Sequence, residues 1–107
     1  MSDAPTIEWP GESGKKYKYS IYDLGTTFRE VAGNYIYAGL NSKNEWYPTY
    51  IGQTGNLKER FSDHEKEPCA RQNGATHLHV HSSSNNEQVR LDEETDLIRN
   101  YNPICND

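Results

Sequence analysis

Tyrosine, more than leucine or valine, is what this chain has to build an interior from. Eight tyrosines and two tryptophans stand against scarce Leu, Ile, Val and Phe, and the mean hydropathy is -1.04. Aliphatic content this low is ordinarily a mark of disorder. Aromatic rings bury large areas each, so a small tyrosine-rich core can fold where an aliphatic count alone predicts none. With 107 residues there is room for one such core and one domain.

Other classes fall away quickly. No apolar run has the length of a membrane span, and Met1 to Pro10 lacks the basic and apolar regions of a signal peptide. A cytoplasmic protein with no membrane partner is the expectation. Cys69 and Cys105 fit neither a disulfide framework nor a CxxC pair, and are expected to be two reduced thiols.

Residues 1–14, with Pro5, Pro10, Gly11 and Gly14, read as a flexible arm before a single domain over 15–107. Lys16 to Ile21 alternates with period two and predicts an edge strand with Tyr17, Tyr19 and Ile21 on one face. Gly33 to Leu40 and Thr49 to Gly52 predict a hairpin with a long turn-rich connection. Thr54-Gly55-Asn56 stops the second strand, and Asn56 with Glu59 has the spacing of a helix cap. Leu57, Phe61 and His64 then share a helix side with Arg60, and Pro68 ends that helix at the latest. Thr76 to His81 alternates as a strand. Ser84 and Glu87 make a second capping pair, opening a helix over about 86 to 100 with Leu91, Glu94, Ile98 and Tyr101 on one face. The expected fold is α+β: a small antiparallel sheet, three strands plus the N-terminal edge strand, flanked by helices.

The order and spacing of particular residues say more than any element. Gly33-Asn34-Tyr35 is followed by Tyr50-Ile51-Gly52, then by Thr54, Leu57, Arg60 and His64, then by Glu94, Leu97-Ile98, Pro103 and Asn106. This series resembles the GIY-YIG nuclease superfamily, which includes homing endonucleases, some restriction enzymes and the incision subunit of bacterial nucleotide excision repair. The resemblance implies a GIY-YIG-like fold and a divalent-metal-dependent endonuclease acting on DNA, with RNA left open.

Phosphodiester hydrolysis needs an activated water, stabilisation of charge on phosphate oxygens and help for the leaving oxygen. The resemblance makes Glu94 the one protein carboxylate on Mg2+ or Mn2+, with water completing the shell. It makes Arg60 the fork that holds a phosphate oxygen, Tyr35 the group that activates water, and Tyr50 a second tyrosine holding water or phosphate. His64 is a proton relay or base, with nearby cations expected to depress the Tyr35 pKa. Gly33, Gly52, Thr54 and Asn106 are implied to support the site. The alternative is an inactive domain of the same fold that binds nucleic acid or a protein partner.

Two positions depart from the usual pattern: Asn34 stands where Ile or Val is common, and Gln53 where many relatives have Lys. His77, His79 and His81 share one strand face, readable as a solvated row, a metal site or a contact to phosphate. Lys43, Gln53 and Lys58 join them as candidate nucleic-acid contacts. The net charge of -5 lies wholly in the second half: residues 1–60 carry seven basic and seven acidic side chains, and 61–107 carry four and nine. Weak, salt-sensitive binding is expected, with selectivity from a partner or a homodimer.

Overall fold

The computed structural model describes residues 4–82 and 85–106, which form three layers with a sheet in the middle. The strands are β1 (Thr6–Pro10), β2 (Lys16–Asp23), β3 (Gly33–Leu40), β4 (Trp46–Thr54) and β5 (His77–His81). All pair antiparallel, in the order β1-β2-β5-β3-β4. Helices α1 (Leu57–Ser62) and α2 (Glu67–Gln72) belong to one face, where Leu57 and Ala70 pack with Tyr35, Tyr37, Leu78 and Val80. Helix α3 (Glu87–Tyr101) covers the other, where Leu97 packs with Trp9, Tyr19, Ile36, Ala38 and Ile51. Strand β3 is buried from Gly33 to Gly39 because both of its faces are covered.

The class is α+β as expected, but the sheet has five strands. The extra one is β1, inside the stretch that reads as a flexible arm. Ile7 and Trp9 alternate inward there, and Trp9 is packed edge-on against Tyr101 at 5.3 Å. Pro10 is tolerated because an edge strand need not use every N–H. Strand β2 is consequently an interior strand, not an edge.

The helix after β4 opens where Asn56 predicts: its side chain accepts from the Glu59 N–H at 3.1 Å. Two further N–H groups of the first turn donate to the 24–32 segment, Leu57 to the Val31 carbonyl and Lys58 to that of Arg29. The helix stops sooner than expected, however. Asp63 leaves the helical conformation, so His64 lies in a connection, and Pro68 sits in the first turn of α2, where its missing N–H costs nothing.

Helix α3 is capped by Asn86, whose side chain accepts from Gln88 N–H at 2.9 Å, while Ser84 lies outside the described residues. Its most buried line is Arg90, Glu93 and Leu97; Leu91, Glu94, Ile98 and Tyr101 are half-buried beside it. The expected apolar face is thus rotated, because polar side chains on the inner line find polar partners.

The cysteines are not free thiols. Cys69 of α2 and Cys105, in a 3-10 turn at Ile104–Asn106, form a disulfide with Cα atoms 6.0 Å apart. It closes a loop across 36 residues of sequence. Replacing both cysteines by serine is expected to lower unfolding free energy by about 2–4 kcal/mol. Urea denaturation of the oxidised, reduced and doubly substituted protein tests this, and coincident curves would contradict it.

Candidate active site

The β3–β4 hairpin delivers three tyrosines, Tyr35, Tyr37 and Tyr50, to the face carrying α1 and α2. Tyr35 lies opposite Gly52, and Tyr37 opposite Tyr50. A Cβ on Gly52 would lie 2.6 Å from the Tyr35 ring and hydroxyl and 2.9 Å from the Tyr50 ring, so glycine is what lets the two rings approach over the strand. A Cβ on Gly33 would lie 2.8 Å from the His81 carbonyl oxygen, a second close approach of backbones. The register shifts after Tyr37, and Thr49 fills the bulge by donating from Oγ1 to the Tyr37 carbonyl at 3.0 Å. On the outer edge, the Asn106 amide accepts from Ile51 N–H at 2.9 Å and donates to its carbonyl at 2.8 Å. The disulfide beside it anchors this brace.

Tyr35, Tyr50, Arg60 and His64 converge. The Tyr35 ring lies 5.4 Å from that of His64 and 6.1 Å from that of Tyr50. Its Oη is 2.6 Å from His64 Nε2 and accepts from Arg60 Nε at 3.3 Å. His64 reaches this position from the α1–α2 connection. Its Nδ1 accepts from the Lys66 N–H at 3.1 Å. Burial, assisted by the Arg60 charge, pulls the imidazole down to about 4, so it is neutral at pH 7. A neutral ring whose Nδ1 accepts carries its proton on Nε2. His64 therefore donates to Tyr35, and in this state it is not a base toward the phenol.

The expectation of a depressed Tyr35 pKa is overturned for the free protein. Burial and neighbouring Tyr50 push it up, and the Arg60 hydrogen bond and charge counter them only in part. Burial opposes the Arg60 charge, but contact with Tyr35 outweighs it and keeps the guanidinium firmly protonated. Arg60 also pairs with Glu65 at 3.4 Å. An open cleft of about 430 Å3, lined by Thr54, Gly55, Asn56, Glu59, Arg60 and Asp63, borders it. Thr54 Oγ1 accepts from the Asn56 N–H at 3.1 Å, tying the end of β4 to the helix cap.

Glu94 comes from α3, the helix on the other face of the sheet. Burial raises its carboxyl, and a hydrogen bond from the Gln53 backbone partly offsets this. Its charge is close enough to act on Tyr35. Among the described residues no three His, Cys, Asp or Glu side chains cluster to hold an ion. A single half-buried carboxylate fits a hard ion that keeps most of its water, as Mg2+ or Mn2+ does.

The other candidates lie elsewhere. His77, His79 and His81 occupy the opposite face of the sheet from Tyr35 and do not form the solvated row expected. His79 is buried between Trp9, whose Nε1 donates to Nδ1 at 3.0 Å, and Trp46. His81 pairs with Glu93 and His77 with Asp23. Lys43 sits in the 41–45 turn, at the far end of the hairpin from Tyr35. Lys58 lines a separate cavity of about 250 Å3 with Phe28, Tyr37 and Phe61. Gln53 directs its side chain to Arg90.

Two buried side chains escaped sequence reasoning. Glu93, next to Glu94, accepts from Tyr19 Oη at 2.6 Å and lies 3.0 Å from His81 Nδ1. Arg90 donates from Nε to Gln53 Oε1 at 3.0 Å. Their spacing from Leu97, four and seven residues back, was the available signal, hidden by the charge of the side chains.

A family model described as the GIY-YIG catalytic domain matches residues 33–106. No curated protein and no solved structure matches the chain.

Acid should destabilise the fold through its buried imidazoles. His64 and His79 are both held at about 4, against 6.5 when unfolded. The unfolded chain therefore binds more protons between these values, and stability falls as pH drops from about 6.5 towards 4. Each site contributes on the order of 2 kcal/mol to that loss. His81, raised first by its hydrogen bond to Glu93, acts with the opposite sign and offsets part of it. Urea midpoints between pH 7 and 4.5 should fall steeply for the native chain and less steeply for His64→Gln. Equal slopes would refute the assignment.

Proposed function

The chain belongs to the GIY-YIG family, and from that premise we propose that it is a divalent-metal-dependent endonuclease that hydrolyses phosphodiester bonds in DNA. The observation that carries the reading is the double donation to Tyr35 Oη. Arg60 Nε–H and His64 Nε2–H both point at that oxygen. The phenol proton is left directed away from them, and the oxygen is supplied with the two hydrogen bonds a phenolate requires.

Each residue has a task in this reading. Tyr35, once its own outward-directed proton has passed to solvent, takes a proton from the attacking water as the bond from phosphorus to the leaving 3'-oxygen breaks, and that oxygen is protonated from solvent. Arg60, with one nitrogen on Tyr35, offers its remaining donors to a non-bridging phosphate oxygen. His64 stabilises charge on Tyr35 as a donor. Tyr50, packed against Tyr35, holds water or phosphate by its hydroxyl. Glu94 would hold the ion, Mg2+ or Mn2+, which would supply positive charge to the phosphate. The Glu94 charge already acts on Tyr35, so a cation held there would counteract the burial that raises the Tyr35 pKa.

Nicking of supercoiled plasmid is the direct test. Activity is expected with Mg2+ or Mn2+ and none with EDTA. Arg60→Ala, Glu94→Ala and Tyr35→Phe should each lower the rate by about 100-fold or more, with unfolding midpoints checked alongside. No nicking with either metal at low salt would overturn the enzyme reading, and DNA binding without nicking would favour the adaptor. Nicking that survives Glu94→Ala would remove Glu94 from the metal.

A further inference from the structure

The two positions where this chain departs from the common pattern, Asn34 and Gln53, are direct partners across the β3–β4 ladder. Both reach the same residue of α3. Asn34 Nδ2 donates to the Arg90 carbonyl at 2.9 Å, and Gln53 Oε1 accepts from Arg90 Nε at 3.0 Å. Asn34 is fully buried and Arg90 is 5% exposed. Burying a guanidinium is costly unless its hydrogen bonds fix it in place. Arg90 also stands one helical turn before Glu94, on the same side of α3. Gln53 lies between the two: its side chain accepts from Arg90, and its backbone is the group that counters the effect of burial on the Glu94 carboxyl.

We propose that Arg90 is a positioning residue for Glu94, acting through Gln53, and that Asn34, Gln53 and Arg90 form a clamp setting the ion-binding turn of α3 against the hairpin that carries the tyrosines. The proposal rests on the reading of Glu94 as the metal carboxylate. One partner grips the backbone of the helix turn and the other its side chain, so both the height and the rotation of α3 are fixed at Arg90. An Arg donor admits only the amide oxygen of Gln53, which also fixes how that side chain is turned. A lysine in place of Gln53 offers no acceptor to Arg90, so Gln53 and Arg90 are a matched pair.

The variants are Arg90→Met, Gln53→Ala and both together, with Glu94→Ala as control. Mn2+ affinity is measured by calorimetry, and exchange of the Gln53 amide proton by NMR on the metal-free protein. Arg90→Met and Gln53→Ala should each weaken Mn2+ binding about tenfold, with no further loss in the double variant. Arg90→Met should also speed exchange of the Gln53 amide, and Arg90→Lys, which keeps a donor, should restore part of both properties. A purely structural role would lower the unfolding midpoint without moving metal affinity. Unchanged affinity and exchange in a folded Arg90→Met overturns the clamp, as do additive losses in the double variant. Should Arg90→Met not fold, Gln53→Ala on the edge strand carries the affinity test alone. Mn2+ binding that persists in Glu94→Ala refutes the role of Glu94, while amide exchange still decides whether Arg90 holds Gln53.

Discussion

A buried tyrosine brings a hydroxyl into the interior, and that hydroxyl has to be hydrogen-bonded. With few aliphatic residues to fill its core, the chain meets this demand repeatedly, and the partners it recruits shape the fold. Tyr19 draws Glu93 inward at 2.6 Å, Tyr17 holds Asp96 at 2.8 Å, and Tyr37 meets Glu67 at 3.3 Å. Tyr47 donates to the Asn73 carbonyl at 3.1 Å. Hydrogen bonds to charged groups contribute about 1.5–3 kcal/mol each. Those from Tyr17 and Tyr19 dock α3 against the β1–β2 side of the sheet, and that from Tyr37 reaches α2. Packing and polar satisfaction are here one problem.

Tyr35 solves it with the opposite polarity. Tyr17, Tyr19 and Tyr37 donate to carboxylates, which secures their protons; burial and Asp96 push Tyr17 up to about 12. Tyr35 instead lies against Arg60 and a neutral His64, both of which donate to its oxygen. Among these four tyrosines it is the one whose hydroxyl proton is not held by a carboxylate. The phenol proposed to act on water is thus distinguished from the other three by the direction of its hydrogen bonds.

What the sequence made legible was local. The hairpin, the Asn56 cap and the order of Tyr35, Tyr50, Arg60, His64 and Glu94 depend on short-range turn chemistry and on spacing. The misreadings all have non-local causes. Strand β1 exists because Trp9 finds Tyr101 and His79, some 90 and 70 residues away in sequence, and its flanking prolines argue for a loop until that packing is known. After Ser62 the chain leaves the helix at Asp63, and His64 reaches Tyr35, 29 residues away in sequence, from the connection that follows. Cys69 and Cys105 meet only once the C-terminal turn packs beyond β4. The histidine row reads as solvated because imidazole is polar, yet His79 packs between two tryptophans. In α3, charge conceals the inner face, since Arg90 and Glu93 look like surface until Gln53 and Tyr19 are seen opposite them.

The same reasoning accounts for the acidity of the chain. A phenol that must donate is best served by a carboxylate, so a core of tyrosines calls for acids nearby, and three of the acids in the second half do this work. Glu93 sits against Tyr19 and His81, whose pKa its hydrogen bond raises. Asp96 accepts from Ser13 and Tyr17, contacts that hold its carboxyl low, and Glu67 is shared between Tyr37 and Arg71. Glu93 and Asp96 belong to α3, on the other face of the sheet from Tyr35, whereas the Glu67 charge also acts on His64 beside Tyr35. Part of the net charge of -5, three of the nine acids of the second half, therefore reports on how the tyrosines are satisfied and not on what the surface attracts.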